Sequence, residues 1–191
     1  MVWQKALAAS VLAFSLAGCG GASLTAYDLS ALGPQQAARA PRGLLSISPP
    51  LAPQTLDSER ILVRADGNAL AYLPGVQWAE RLPTLVQTRL VQSFENSHVL
   101  RSVVSSNERV TSDAHLETEI RSFEYSAATS EVVVSLSVKL INDRNGKIVK
   151  AQVFSARAPQ GSADGAAVVQ GLDATLAQVM RQIIGWVGGA V

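Results

Sequence analysis

Four consecutive residues carry the one covalent chemistry that this chain advertises. Leu16-Ala17-Gly18-Cys19 follows a short apolar run and contains the only cysteine of 191 residues. An apolar residue, two small residues and then Cys is what a lipoprotein signal peptidase needs. The small side chains let the backbone lie flat in the protease, and the thiol is diacylated before cleavage. No second cysteine exists to pair with Cys19, so a disulfide is excluded within the chain. The motif predicts a mature protein that begins at Cys19 and hangs from a membrane by lipid. Two acyl chains, usually joined by a third on the new amine, anchor stably, since each buried CH₂ contributes roughly 0.8 kcal/mol.

Other reactive residue types are sparse. The only histidines are His98 and His115, and two His without a free Cys do not make a closed zinc site. His115, Glu117 and Glu119 alternate, which places them on one face of a strand. Such a set could serve acid–base work or half of a metal site; the plainer reading is a solvated strand face. Neither Gly-x-Ser-x-Gly nor a Gly-rich loop ending in Lys occurs. Ser135 and Ser137 alternate with valines, as on a sheet face. The expectation is no enzyme, no cofactor and no metal. Tyr72 and Trp78 bracket Pro74-Gly75; they either form an exposed aromatic contact for a lipid or protein, or pack a helix start against a sheet.

The charge balance removes further classes. Sixteen Lys+Arg stand against 15 Asp+Glu. Residues 1–18 hold Lys5 and no acid, which leaves 15 against 15 in the mature chain. A neutral domain has no long-range field for nucleic acid or an anionic surface. Residues 6–14 form an apolar run of signal-peptide length, too short to remain across a bilayer. The predicted organisation is a removed signal peptide at 1–18, a lipidated N-terminus and flexible linker at 19–43, and one domain at 44–191. Position 20, directly after the lipidated Cys, is Gly rather than Asp. In an enterobacterial-type sorting system nothing then retains the protein at the inner membrane, which predicts an outer-membrane anchor facing the periplasm.

Within 44–191 the periodicity supplies the elements. Residues 44–48 read as a short strand ended by Pro49-Pro50. Two short apolar runs flank Asp66-Gly67-Asn68, a hairpin signal. From Trp78 to Phe94 the apolar spacing becomes helical, with Asn96 a candidate left-handed end. Residues 98–103 suit a strand. Leu116, Thr118 and Ile120 alternate with polar residues, then Phe123 and Tyr125 fall out of phase, so a β-bulge is needed between them. Val132, Val134, Leu136, Val138 and Leu140 share one face, Asn145-Gly146 ends a turn, and residues 148–154 run back. Val168, Leu172, Leu176, Val179, Met180, Ile183 and Val187 make a helical stripe, with Ser162 or Asp164 as cap. The order predicts an α+β domain: a mixed, mostly antiparallel sheet with two amphipathic helices on one face.

That order resembles the ABC-type transport auxiliary lipoprotein family, which includes the paraquat-inducible protein C type. Tyr27-Asp28-Leu29 soon after the Cys, Leu45-Ser46-Ile47-Ser48-Pro49-Pro50 and Asp57-Ser58-Glu59-Arg60-Ile61-Leu62-Val63-Arg64 carry the resemblance. So do Trp78-Ala79-Glu80-Arg81-Leu82-Pro83, Asp113-Ala114-His115-Leu116 and Phe123-Glu124. It implies a non-catalytic periplasmic component of a lipid-trafficking system. The implied partners are an inner-membrane ABC transporter and a protein carrying mammalian-cell-entry (MCE) domains, with homo-oligomerisation also implied. The role would be to dock or support the conduit at the outer membrane. The alternatives are a structural or assembly lipoprotein of the outer membrane, and a periplasmic hydrolase in which His115, Glu117 and a serine converge.

Overall fold

The computed structural model describes residues 24–34, 43–66, 69–108 and 110–189. Leu16, Ala17, Gly18 and Cys19 therefore lie outside the described residues. The fold is α+β, with a seven-stranded mixed sheet, a two-stranded accessory sheet and two helices.

The axis of the sheet is β7 (Ala114–Ser126), 13 residues long. On one side it pairs antiparallel with β8 (Glu131–Asn142), which pairs in turn with β9 (Lys147–Pro159). The meander expected from alternation is present. So is the bulge: register shifts between Ile120 and Ser122, leaving Arg121 as the extra residue. That single insertion keeps Leu116, Ile120 and Phe123 all on the buried face, each at most 1% exposed. The turn into β9 closes with Gly146 at φ 67°, its amide donating to the Asn142 carbonyl at 2.8 Å.

The other side of β7 is shared by two short strands in tandem. β2 (Leu44–Ile47) pairs parallel with Ala114–Leu116, and β3 (Leu62–Arg64) pairs parallel with Glu124–Ser126. Between them Leu51 bridges to Glu119, so the chain after Pro49-Pro50 still tracks the edge of β7. β3 turns back into β4 (Leu70–Tyr72) as the Asp-Gly signal predicts. Outside β2 lies β6 (Ser102–Ser105).

Both helices cover the apolar face. α2 (Gly165–Gly188) starts at Asp164, whose carboxylate accepts from the Ala167 amide at 3.3 Å. All seven residues of its stripe are 0% exposed. At about 1.5–3 kcal/mol for each buried aliphatic side chain, this one face supplies a large share of the core. α1 (Leu82–Ser97) carries Pro83 in its first turn, where the missing N–H costs nothing. It packs on β2 and β6, and Ser93 Oγ meets Met180 Sδ of α2 at 3.5 Å.

Four expectations need correction. Trp78 is not the first residue of a helical face; it ends β5 (Val76–Trp78), which pairs parallel with β1 (Thr25–Tyr27). It sits four residues before Leu82, so the helical spacing is coincidental. Residues 98–103 are not one strand: His98, at φ 51°, is the left-handed end of α1, and pairing begins at Ser102. Asn96 does not cap the helix but donates to the Leu32 carbonyl at 2.7 Å. Residues 24–34 are not part of a flexible linker either. Leu29 and Leu32 are 3% and 6% exposed in the core. The Ser30 amide donates to Asp173, and the Leu32 amide to Ser93 Oγ. These contacts come from helices at least 61 positions away, beyond the reach of any local pattern.

Candidate functional site

Three places in the fold bear on function: the end where the chain leaves toward Cys19, the aromatic pair, and the open face of the sheet. The first is defined by Leu24, which is 56% exposed, and by the Thr25 amide, which donates to the Gly75 carbonyl at 2.9 Å. Val76 lies against Gly165, the first residue of α2. Leu24 therefore leaves the domain at the end that also holds the β3–β4 hairpin and the start of α2. The opposite end holds the β8–β9 turn.

Trp78 cannot be an exposed contact. It is 1% exposed, with its ring edge-on to Phe123 at 5.7 Å between centroids and its amide donating to Glu59. Tyr72 is a different case. Its ring is half-buried, with the Arg60 guanidinium 3.7 Å above it and its hydroxyl 3.4 Å from the Thr55 carbonyl. A cation stacked on an aromatic at a surface contributes about 0.5–1 kcal/mol. The structure thus separates the two residues that proximity in sequence had joined.

On the face of the sheet away from the helices, His115, Glu117 and Glu119 do alternate along β7. They do not converge. Ser48 Oγ lies 3.0 Å from His115 Nε2. Glu117 instead accepts from Lys139 across the ladder at 3.2 Å, and Glu119 faces Arg121 at 3.5 Å. A Ser–His contact whose neighbouring carboxylate is turned to a lysine lacks the third group that would orient the imidazole. Beside it an open hollow of about 480 Å³ is lined by Leu51, Ala52, Pro53, Glu119, Ile120 and Arg121. Leu51, 61% exposed, forms part of its wall. Among the described residues no group of three His, Cys, Asp or Glu stands together to hold a metal ion. Among them, too, no helix is long and apolar enough to cross a membrane.

A further carboxylate on β7, Glu124, has a partner that local pattern could not supply. Arg64 Nε and Nη2 reach its two oxygens at 2.6 and 2.9 Å. Glu124 is 5% exposed, and the fork–fork geometry satisfies both of its oxygens. Burial of an acid opposite Val133 on a sheet face is visible only once β3 is known to pair there.

The profile of the ABC-type transport auxiliary lipoprotein components matches residues 27–184. The chain belongs to that family. The match begins at Tyr27 in β1 and ends inside α2, so it takes in the accessory sheet as well as the main one. A Bradyrhizobium diazoefficiens protein is 30% identical over 164 residues, 84% of this chain; the chain spans only 44% of that relative's length. A crystal structure of a Xanthomonas campestris protein superposes with a TM-score of 0.78 at 27% identity, covering 86% of this chain and 96% of that one. A Chlamydia trachomatis protein shares the fold at 11% identity, with a TM-score of 0.53 over 78% of this chain and 97% of the other. The chain thus shares the fold of the Xanthomonas campestris protein over nearly all of that protein's resolved length.

Proposed function

We propose that this auxiliary lipoprotein is a non-catalytic, lipid-anchored periplasmic component of an ABC/MCE-type lipid transport system, held at the outer membrane, where it docks or supports the conduit. The family match over residues 27–184 carries this reading. Two further features support it. Glu117 and Glu119 are engaged in separate ion pairs and do not converge with the Ser48–His115 contact. The geometry of the tether also fits a docking role. Five residue steps separate Cys19 from Leu24, a reach of about 17 Å when fully extended. A 13-residue strand such as β7 is about 43 Å long. Lipid on Cys19 therefore holds the Leu24 end of the domain near the bilayer and points the β8–β9 turn away from it, toward a partner.

The test is isolation of the protein from native membranes after crosslinking, with mass spectrometry of proteins and lipids. Recovery of an MCE-domain protein with its ABC transporter supports the transport role. Recovery of outer-membrane assembly proteins alone replaces it with an assembly role. Lipidation is tested separately: labelled palmitate should enter the wild-type chain and not the Cys19→Ser variant.

A further inference from the structure

β9 (Lys147–Pro159) is 13 residues long and, among the described residues, pairs on one side only, with β8. In an antiparallel ladder every second residue directs its N–H and C=O away from its partner, so β9 offers a row of unpaired backbone groups. Natural sheets blunt such edges with short strands, bulges, Pro or covering elements. Here the bulge sits at the beginning, where Val149 is skipped between Ile148 and Lys150, and the Pro comes last. The stretch between, Ala151-Gln152-Val153-Phe154-Ser155-Ala156, has no charge, no Pro and no register shift. Ile148, Val149 and Val153 are 58%, 47% and 45% exposed.

We propose that the free edge of β9 accepts an extended, acidic segment of a partner protein as an additional strand. The charge of the strand selects the occupant. β9 carries Lys147, Lys150 and Arg157 and no acid. A β9–β9 pairing between two copies would gather six cations in one ribbon without a counter-charge. A segment with glutamates or aspartates in register with Lys150 and Arg157 gains a cross-strand pair at each. Neighbouring acids offset this field only at one end. On β8, Lys139 is engaged by Glu117; Glu131, opposite Pro159, is the diagonal neighbour of Arg157, whereas Lys150 stands opposite Leu140. On α2, Asp173 accepts from Ser30, and Arg181 is a further cation. Lys150 also leans over Trp186 at 5.6 Å, on the helix side of the strand, which leaves the edge itself unobstructed. Backbone pairing would supply the affinity, and the exposed valines the side-chain contacts.

The probe is a synthetic twelve-residue peptide of Val and Thr carrying four Glu, added to the full chain in detergent. Amide hydrogen exchange locates it. Alternate amides between residues 149 and 157 should gain protection, and binding should weaken with salt. The Lys150→Glu/Arg157→Glu variant, with its thermal unfolding shown to be intact, should lose about tenfold in affinity, two cross-strand pairs turning from attraction to repulsion. The same peptide with Lys in place of Glu should not bind. The proposal is overturned by protection that falls elsewhere than β9, by equal binding of the lysine peptide, or by the chain alone self-associating with β9 amides protected.

Discussion

Arg64 of β3 closes both its Nε and Nη2 on the carboxylate of Glu124 in β7, at 2.6 and 2.9 Å. The pair joins two parallel strands whose sequences lie 60 positions apart. The Glu124 side chain is 6% exposed and that of Arg64 40%, so water reaches the cation but not the acid. Removing Arg64 leaves a buried carboxylate uncompensated, the costly way to break such a pair. Arg64→Ala should lower stability by about 2 kcal/mol in urea unfolding, a value below the fully buried range because solvent reaches this site. Arg64→Lys keeps the charge and loses the fork, and should fall between. A change under about 0.5 kcal/mol for Arg64→Ala, the scale of an ordinary surface substitution, would show that the pair is ornamental.

Stability should depend on pH on the acid side. The Arg89 guanidinium, aided by the Leu29 amide, holds the Asp28 carboxyl below its ordinary 3.8. The Leu44 amide and then Arg144 do the same for Asp113. A carboxyl with a lowered folded pKa contributes stability above its unfolded value near 4, and that contribution is lost as pH falls through the folded value. Unfolding midpoints should be level between pH 7 and 5 and drop below pH 4. Asp28→Asn with Asp113→Asn should start lower at pH 7 and descend less steeply. An unchanged slope between pH 5 and 3 would assign the acid sensitivity to other groups.

Trp78 and Tyr72 should behave oppositely. Trp78 fills the core against Phe123, so Trp78→Ala should cost about 3–5 kcal/mol. Tyr72→Ala removes a half-buried ring, its stacked cation and a hydroxyl contact, and should cost less, about 1–2 kcal/mol. If Tyr72 touches a partner, crosslinking yield falls further than that of a variant equally destabilised elsewhere.

Two glycines of α2 distinguish rigid from yielding neighbours. A Cβ on Gly165 would stand 2.7 Å from Val76 Cγ1, a short-stemmed branched side chain paired in the accessory sheet. A Cβ on Gly171 would stand 2.5 Å from Gln160 Oε1, the far end of a flexible side chain. Gly165→Ala should destabilise by about 1–3 kcal/mol, the cost of overpacking. Gly171→Ala should cost less than Gly165→Ala, because Gln160 can swing aside and Ala favours helix by up to about 1 kcal/mol over Gly, against a 3.3 Å approach to the buried Val132 Cγ2. Thermal unfolding of the two variants checks the order. Leu176→Asp, at the middle of the buried stripe, should fail to fold.

Alternation in residues 131–141 and the stripe of α2 predicted their elements and inward faces because each is a property of one segment. The slip between Ile120 and Phe123 likewise showed that a bulge was required, and Asp-Gly and Asn-Gly marked the β3–β4 and β8–β9 hairpins. A periodic pattern says which side of a segment is apolar; it does not say what lies opposite. So β1, the burial of Leu29 and Leu32, and the strand at Trp78 could be settled only by partners far along the chain. The carboxylates followed the same rule. Their spacing put Glu117 and Glu119 on one face, while Lys139 and Arg121, brought near by the ladder and the bulge, decided that they stand in ion pairs. The edge of β9, unpaired among the described residues, is the extreme case, since a strand's sequence does not record whether it has one neighbour or two. Parallel pairing of β2 and β3 with one side of β7 closes loops of some 60 residues or more, and only the assembled core makes such closures favourable.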